Sequence, residues 1–283
     1  MNNILQNENN KYNYSIDASK GVLILLVIIG HVLIGNLQDH FIRFFIYSFH
    51  MPLFLFISGY LININKLEKY SFTTLVKHYL KRMLGWWLLA CLIYYIITNR
   101  TYSLESFISH IIHPYYHLWY IPSLFCMILI SYFVSKKKKK IYLLFGLSIS
   151  CFLIYIFFQF PRIADLNYFL YFVIGLYFRN STHKQHIYSN SILCWGIYSI
   201  GIVLIFLLQK QLHIPINLTK VLISPFVIFL INKWLSPILA SDSLPKNKVL
   251  IWIGRNSLHI YLWHIIPIIF MRFLLNNHCN IFF

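Results

Sequence analysis

Long apolar runs separated by short polar stretches recur along this chain from residue 21 to residue 274. Such runs predict transmembrane helices, because roughly 20 apolar residues rising about 1.5 Å each cross a hydrocarbon layer about 30 Å thick. The runs read as 21–38, 41–62, 83–98, 118–135, 141–158, 166–178, 191–208, 218–235 and 249–274. The run 166–178 is short enough to tilt or re-enter, and Pro225 and Pro237 permit another division of the region after Thr219. The pattern predicts an all-α, polytopic transmembrane bundle of about nine or ten spanning helices.

Composition supports that class: 59% of the 283 residues are hydrophobic and 11% are charged, a balance that a soluble domain of this size could not solvate. The net charge of +17 invites a nucleic-acid reading. Its distribution argues against one. With the N-terminus in the cytoplasm, 18 basic residues fall inside, including Lys66 to Arg82 and the run Lys136 to Lys140. Six fall outside: Arg43, Arg100, Arg162, Lys210, Lys220 and Arg272. This is the positive-inside pattern, and the lysine run reads as a topology anchor near anionic lipid. Residues 1–19 are polar and asparagine-rich, so a cytoplasmic N-terminal segment is expected rather than a cleavable signal. One integral domain over 20–275 and a short tail over 276–283 follow. Cys91, Cys126, Cys151 and Cys194 lie in apolar runs and Cys279 stands in the tail, with no disulfide framework suggested.

Lys20 and His31 stand eleven positions apart in the first run. At about 100° per residue they share a helix face, with His31 roughly 16 Å deeper, near the middle of a bilayer. An ionisable group there is costly and reads first as functional, although a histidine hydrogen-bonded inside a bundle is the plain alternative. Asp17 can cap the helix or pair with Lys20. Together the three residues form a stripe able to guide an anionic cytosolic ligand, although Lys20 snorkelling to the interface explains its charge equally. In the second run, His50 lies roughly 13 Å below the opposite face, so the two imidazoles are expected to meet at mid-membrane. Pro52 favours a kink there, and packing accounts for His50 as readily as function does.

The stretch 99–117 carries His110, His113, Tyr115, Tyr116 and His117, followed by Trp119 and Tyr120. Aromatic faces suit sugar rings, and they equally suit an interfacial belt. His110, His113 and His117 could align on a helix, yet no carboxylate or cysteine completes a zinc pattern, so no metal is expected. Tyr261 and His264 share a face of the last run, for packing or for substrate.

Taken together, these residues resemble the membrane-bound acyltransferase-3 family, which includes bacterial surface-polysaccharide O-acetyltransferases. The family's arginine-to-histidine spacing in the first helix is read here as Lys20 and His31, with the preceding acidic residue matching Asp17. Phe49-His50-Met51-Pro52-Leu53-Phe54 through Ser58-Gly59-Tyr60 is similar to the second helix. His117-Leu118-Trp119-Tyr120 is similar to the start of the fourth, and Gly254, Ser257-Leu258 and Tyr261-Leu262-Trp263-His264 to the last core helix. Lys20 keeps the charge of the commoner arginine without its planar fork. The basic motif of the third helix is matched only by Lys77-His78-Tyr79-Leu80-Lys81-Arg82, where His78 with Arg82, or Lys77 with Lys81, could serve.

The resemblance implies acyl transfer from cytosolic acetyl-CoA, or another acyl-CoA, to a hydroxyl of a cell-surface glycan or its lipid-linked precursor in the bacterial cytoplasmic membrane. It puts His31, His50 and Asp17 in the catalytic group and Lys20, Lys77, Lys81 and Arg82 at the donor's phosphates. His117, Trp119, Tyr120, Tyr261 and His264 fall to the acceptor. A neutral imidazole can take the proton of a sugar hydroxyl, and His50 can stabilise the oxyanion or orient the acceptor. Direct transfer and an acyl-histidine relay both fit. The competing reading is a transporter or flippase for a glycolipid, although the paired repeats common in transporters are not visible in the sequence. A non-catalytic scaffold is the third. The expected partners are the bilayer, acyl-CoA and a glycan, not nucleic acid; self-association stays open.

Overall fold

A computed structural model of the protein describes residues 12–98, 103–115, 117–158, 164–180 and 190–275. It is built from helices, with no β-strand among the described residues. Chain order gives α1 (Tyr14–Val32), α2 (Phe41–Tyr60), α3 (Ile64–Glu68), α4 (Phe72–Tyr79), α5 (Gly85–Thr98) and α6 (Leu104–Ile112). Then come α7 (Tyr120–Ser135), α8 (Lys140–Phe157), α9 (Phe169–Asn180), α10 (Ser191–Leu212) and α11 (Ile216–Leu230). The chain closes with α12 (Ser236–Ser241), α13 (Lys248–Arg255), α14 (Ser257–Trp263) and α15 (Ile265–Leu275). Two π-helical turns, Leu80–Leu84 and Ile231–Leu235, fuse α4 to α5 and α11 to α12.

Among the described residues, six helical stretches are long and apolar enough to cross a membrane: Tyr14–Val32, Phe41–Tyr60, Phe72–Thr98, Lys140–Phe157, Ser191–Leu212 and Ile216–Ser241. Tyr120–Ser135, Phe169–Arg179 and Ser257–Arg272 are shorter apolar helices. Their outer faces are greasy. Leu143, Leu147, Leu153 and Phe157 of α8 and Ile192, Ile200 and Leu207 of α10 are exposed, an arrangement suited to lipid and not to water. The interior is aromatic, with Phe56, Tyr94, Tyr132, Phe169, Phe172 and Tyr198 fully buried.

Helix boundaries move the first expectation. The Asn13 side chain accepts the Ile16 N–H at 3.1 Å, Asp242 Oδ1 accepts the Ser15 N–H at 2.7 Å, and Ser15 Oγ accepts the Leu244 N–H at 3.0 Å. With those donors satisfied, α1 starts at Tyr14 and not at residue 21. The helix therefore runs unbroken through the expected division at residues 19 and 20, and Ser15, Asp17 and Ser19 are buried inside the protein. It ends at Val32, which puts His31 in the last turn, about 26 Å along the axis from Tyr14. Most of the expected 1–19 segment and all of the 276–283 tail, with Tyr116, lie outside the described residues.

The expected span 249–274 is three helices. Asn256 adopts φ −94°, ψ 10° and bonds back to the Trp252 carbonyl at 2.9 Å, ending α13. Pro267 has no N–H for the Trp263 carbonyl, and α14 stops there.

Close approaches hold the bundle. A Cβ on Gly59 would collide with the Phe172 carbonyl, and one on Gly175 with the Phe56 carbonyl, so α2 and α9 touch backbone to backbone. Gly21 against Leu250 and Gly254 against Asp17 do the same for α1 and α13. Since 17 faces 254 and 21 faces 250, those two helices run in opposite senses. Alternation of the spans leaves one end of the bundle with the start of α1 and the lysine-rich connections. The other carries His31 and the starts of α2, α9 and α11.

Candidate active site

At the His31 end, a cavity of about 1320 Å³ is bounded by the last turn of α1, the first half of α2, the 113–119 turn and the starts of α9 and α11. The end of α8 and the first two turns of α15 complete its wall. His31 lines it, and its ring makes no hydrogen bond with any described residue. Its ring centroid lies 5.2 Å from that of His264 and 5.9 Å from that of His117, and these two are 4.5 Å apart. Three imidazoles from α1, the turn before α7, and the α14–α15 junction thus meet, although nearly the whole chain separates the first from the last.

Each ring of the trio is held differently. His264 Nδ1 donates to the carbonyls of Tyr261 (2.8 Å) and Ile260 (3.3 Å). A carbonyl can only accept, so a neutral ring keeps its lone pair on Nε2, which is buried without a partner. His117 is buried with both ring nitrogens unbonded. The Tyr261 hydroxyl donates to the His117 backbone carbonyl, and its ring packs 4.9 Å from the imidazole. Arg272, on α15, donates to the His31 carbonyl at 2.8 Å and fixes the end of α1.

His50 is buried in the middle of α2 and donates from Nδ1 to the Ile46 carbonyl at 2.7 Å. It lines the same cavity but does not meet His31 directly. Tyr47 lies between them, its ring 6.2 Å from His31 and 4.9 Å from His50. The cause is the position of His31 in the last turn of α1, a level that faces the first two turns of α2.

The remaining expected site residues divide by end. Trp119 and Tyr261 line the cavity, while His264 stands behind His31 and His117. Tyr120 is buried outside the lining and pairs with Ser58 Oγ at 2.8 Å, tying α7 to α2. Asp17 is not the helix cap. It is buried at the opposite end, paired with Lys20 at 2.7 Å and with Arg255 at 3.5 Å. Lys77, Lys81 and Arg82 are exposed on α4 and its π turn, also away from the cavity. His110 and His113 line the cavity mouth but share no helix with His117, because α6 stops at Ile112 ahead of Pro114. His110 stacks on Tyr115 at 4.3 Å. Among the described residues, no group of three or more His, Cys, Asp or Glu is placed to hold a metal.

The cavity also presents residues that were not singled out from the sequence: Arg43, Tyr155, Asp165, Asn167, Tyr168 and Lys220. Lys220 carried a usable signal, a cation five residues into an apolar helix. Asp165 and Asn167 carried none, since a loop carboxylate and amide are ordinary until the fold turns them inward.

The Acyltransferase domain family model matches residues 13–282, nearly the whole chain. Over 150 residues the chain is 33% identical to Nodulation protein NolL of Mesorhizobium japonicum, a match covering 48% of this chain and 39% of that protein. The chain thus spans about two fifths of the length of the curated relative that it matches. No solved structure matches it significantly. The family match and the lipid-suited helical bundle agree: the chain is an integral membrane protein that belongs to the acyltransferase-3 family.

Proposed function

We propose that the protein transfers an acyl group, acetyl in the first instance, from cytosolic acetyl-CoA to a hydroxyl of a cell-surface glycan or its lipid-linked precursor, with His31 as general base. The observation that carries this reading is the unbonded His31 ring on the wall of a cavity of about 1320 Å³, larger than the usual ligand pocket of roughly 300–1,000 Å³. A ring already tied to a protein carbonyl through both nitrogens could not accept a substrate proton. His31 is not so tied.

In the step itself, the sugar oxygen attacks the thioester carbon as His31 takes the hydroxyl proton. The C–O bond forms, the C–S bond breaks, and the proton passes on to the departing sulfur, giving the ester and free CoA. His117, with unbonded nitrogens beside His31, is placed to hold the oxyanion or to share the proton, a role the sequence reading gave to His50. Lys20, Lys77, Lys81 and Arg82, at the opposite end, suit the donor's phosphates. The thioester then has to travel the roughly 16 Å rise of α1 from Lys20 to His31. The excess of basic residues around Lys66–Arg82 and Lys136–Lys140 supports a cytoplasmic N-terminus in a bacterial inner membrane.

The test is transfer of label from radiolabelled acetyl-CoA to candidate glycans by the protein in lipid vesicles. Label in the glycan that disappears in His31→Ala supports the reading. Movement of the glycan across vesicles at the same rate with and without acetyl-CoA, and no label, would make the protein a transporter instead.

A further inference from the structure

The wall of the cavity formed by α8, α9 and α11 holds a second polar cluster that the transfer step does not use. Lys220 extends from the second turn of α11 and donates to the Tyr155 hydroxyl at 2.8 Å. Its Nζ lies 4.7 Å and 5.2 Å from the ring centres of Tyr155 and Tyr168. An ammonium has three donors, and this one meets two neutral phenols, Tyr155 and Tyr168, with the Asp165 carboxylate acting on it electrostatically from farther off. Among the described residues no carboxylate comes within 4 Å of it. A lysine snorkelling to the membrane surface would point outward along the helix; this one turns inward onto aromatic rings.

An independent observation stands beside it. Asn167 is 2% exposed, lines the same cavity, and neither its amide nitrogen nor its oxygen has a partner. Burying an unpaired amide is costly, a penalty that a ligand reaching it removes. The turn is held in place, since Ser123 Oγ accepts the Asp165 N–H at 2.9 Å and Asp165 Oδ1 accepts the Asn167 N–H at 3.4 Å. Trp119 stacks on Tyr168 with centroids 5.7 Å apart and planes at 23°, a flat aromatic wall of the sort that packs against a sugar ring. Among the described lining residues the cations are Arg43, Lys220 and Arg272 and the carboxylate is Asp165, so this part of the cavity favours negative charge.

We propose that the acceptor is an anionic saccharide, its phosphate or carboxylate held by Lys220 and a neighbouring hydroxyl or amide read by Asn167. This deepens the transfer reading, on which it rests, and is tested first by binding, with transfer separating the two readings. The probes are a glucuronate-containing tetrasaccharide, its carboxyl-reduced neutral counterpart, and a short-chain prenyl phosphoglucose, titrated calorimetrically into the purified protein without acyl donor. At least one anionic probe binds about tenfold tighter than the neutral one, Lys220→Met removes that preference, and Lys220→Arg keeps it. Asn167→Ala weakens charged and neutral ligands alike, and thermal unfolding confirms that each variant is folded. Preference for the carboxylate identifies the glycan as source, and preference for the phosphate identifies the lipid-linked precursor. Equal binding of the neutral probe, a preference that survives Lys220→Met, or no saturable binding of either anionic probe overturns the proposal. Lys220-dependent binding without label transfer would sink the transferase reading alone. Equal transfer to charged and neutral acceptors would sink this one alone.

Discussion

The Arg272 guanidinium donates to the backbone carbonyl of His31 at 2.8 Å and to that of Val32 at 3.3 Å, closing the C-terminal turn of α1 from a helix that begins more than 230 residues later. A cation at this place satisfies two carbonyls that the helix itself leaves open and matches the negative end of its dipole. It acts on His31 through the backbone and so positions it.

Arg272→Ala is expected to lower kcat about tenfold with little change in the KM for acetyl-CoA, since the site proposed for the donor's phosphates is at the other end. Stability should fall by about 1–2 kcal/mol, in line with a charge-assisted hydrogen bond. Arg272→Lys should recover part of kcat. A fall in folded fraction that accounts for the whole loss of rate would reduce Arg272 to a structural role.

Gly59 and Gly175 face each other's helix backbones without room for a Cβ. Gly175→Ala should destabilise the protein by about 1–3 kcal/mol through overpacking. Gly146→Ala, inside α8 with nothing within 4 Å, should leave stability unchanged or raise it by up to about 1 kcal/mol. Thermal unfolding in detergent compares the two. Equal midpoints would contradict the backbone contact between α2 and α9.

Trp119 and Tyr120 are adjacent in sequence, yet Trp119 lines the cavity and Tyr120 is buried outside the lining. Tyr120→Phe removes the bond to Ser58 and should cost about 1 kcal/mol of stability, with the acceptor KM unchanged. Trp119→Ala should raise the acceptor KM about tenfold. Steady-state kinetics with varied glycan separates them, and an acceptor KM that follows Tyr120 and not Trp119 would reverse the assignment.

Lys77, Lys81 and Arg82 are exposed, so any contact they make with the donor is screened by salt. Replacing all three by Gln should raise the KM for acetyl-CoA about tenfold and flatten its rise with ionic strength. An unchanged KM across an ionic-strength series would move the donor site elsewhere.

The helical class and the rough position of each span were legible because apolar runs of membrane length allow few other structures. His31, His117 and His264 could each be picked out. Their meeting could not, because it depends on α1 ending at Val32 and on the chain breaking at His264. The first is fixed by Arg272 donating to the His31 and Val32 carbonyls, contacts formed across nearly the whole chain. The second follows from Pro267, a local signal that the continuous apolar run concealed. Asp17 was legible as Lys20's partner, but its pairing with Arg255 was not, because that contact joins α1 to α13 across nearly the whole chain.

The central claim is that His31 removes the acceptor's proton. Single-turnover transfer of radiolabelled acetyl from acetyl-CoA to glycan, measured on folded wild-type, His31→Ala and His50→Ala protein in vesicles, tests it most directly. Loss of about a hundredfold or more in His31→Ala, with acetyl-CoA binding retained, is the predicted result. Transfer by folded His31→Ala within a few-fold of wild type would contradict it.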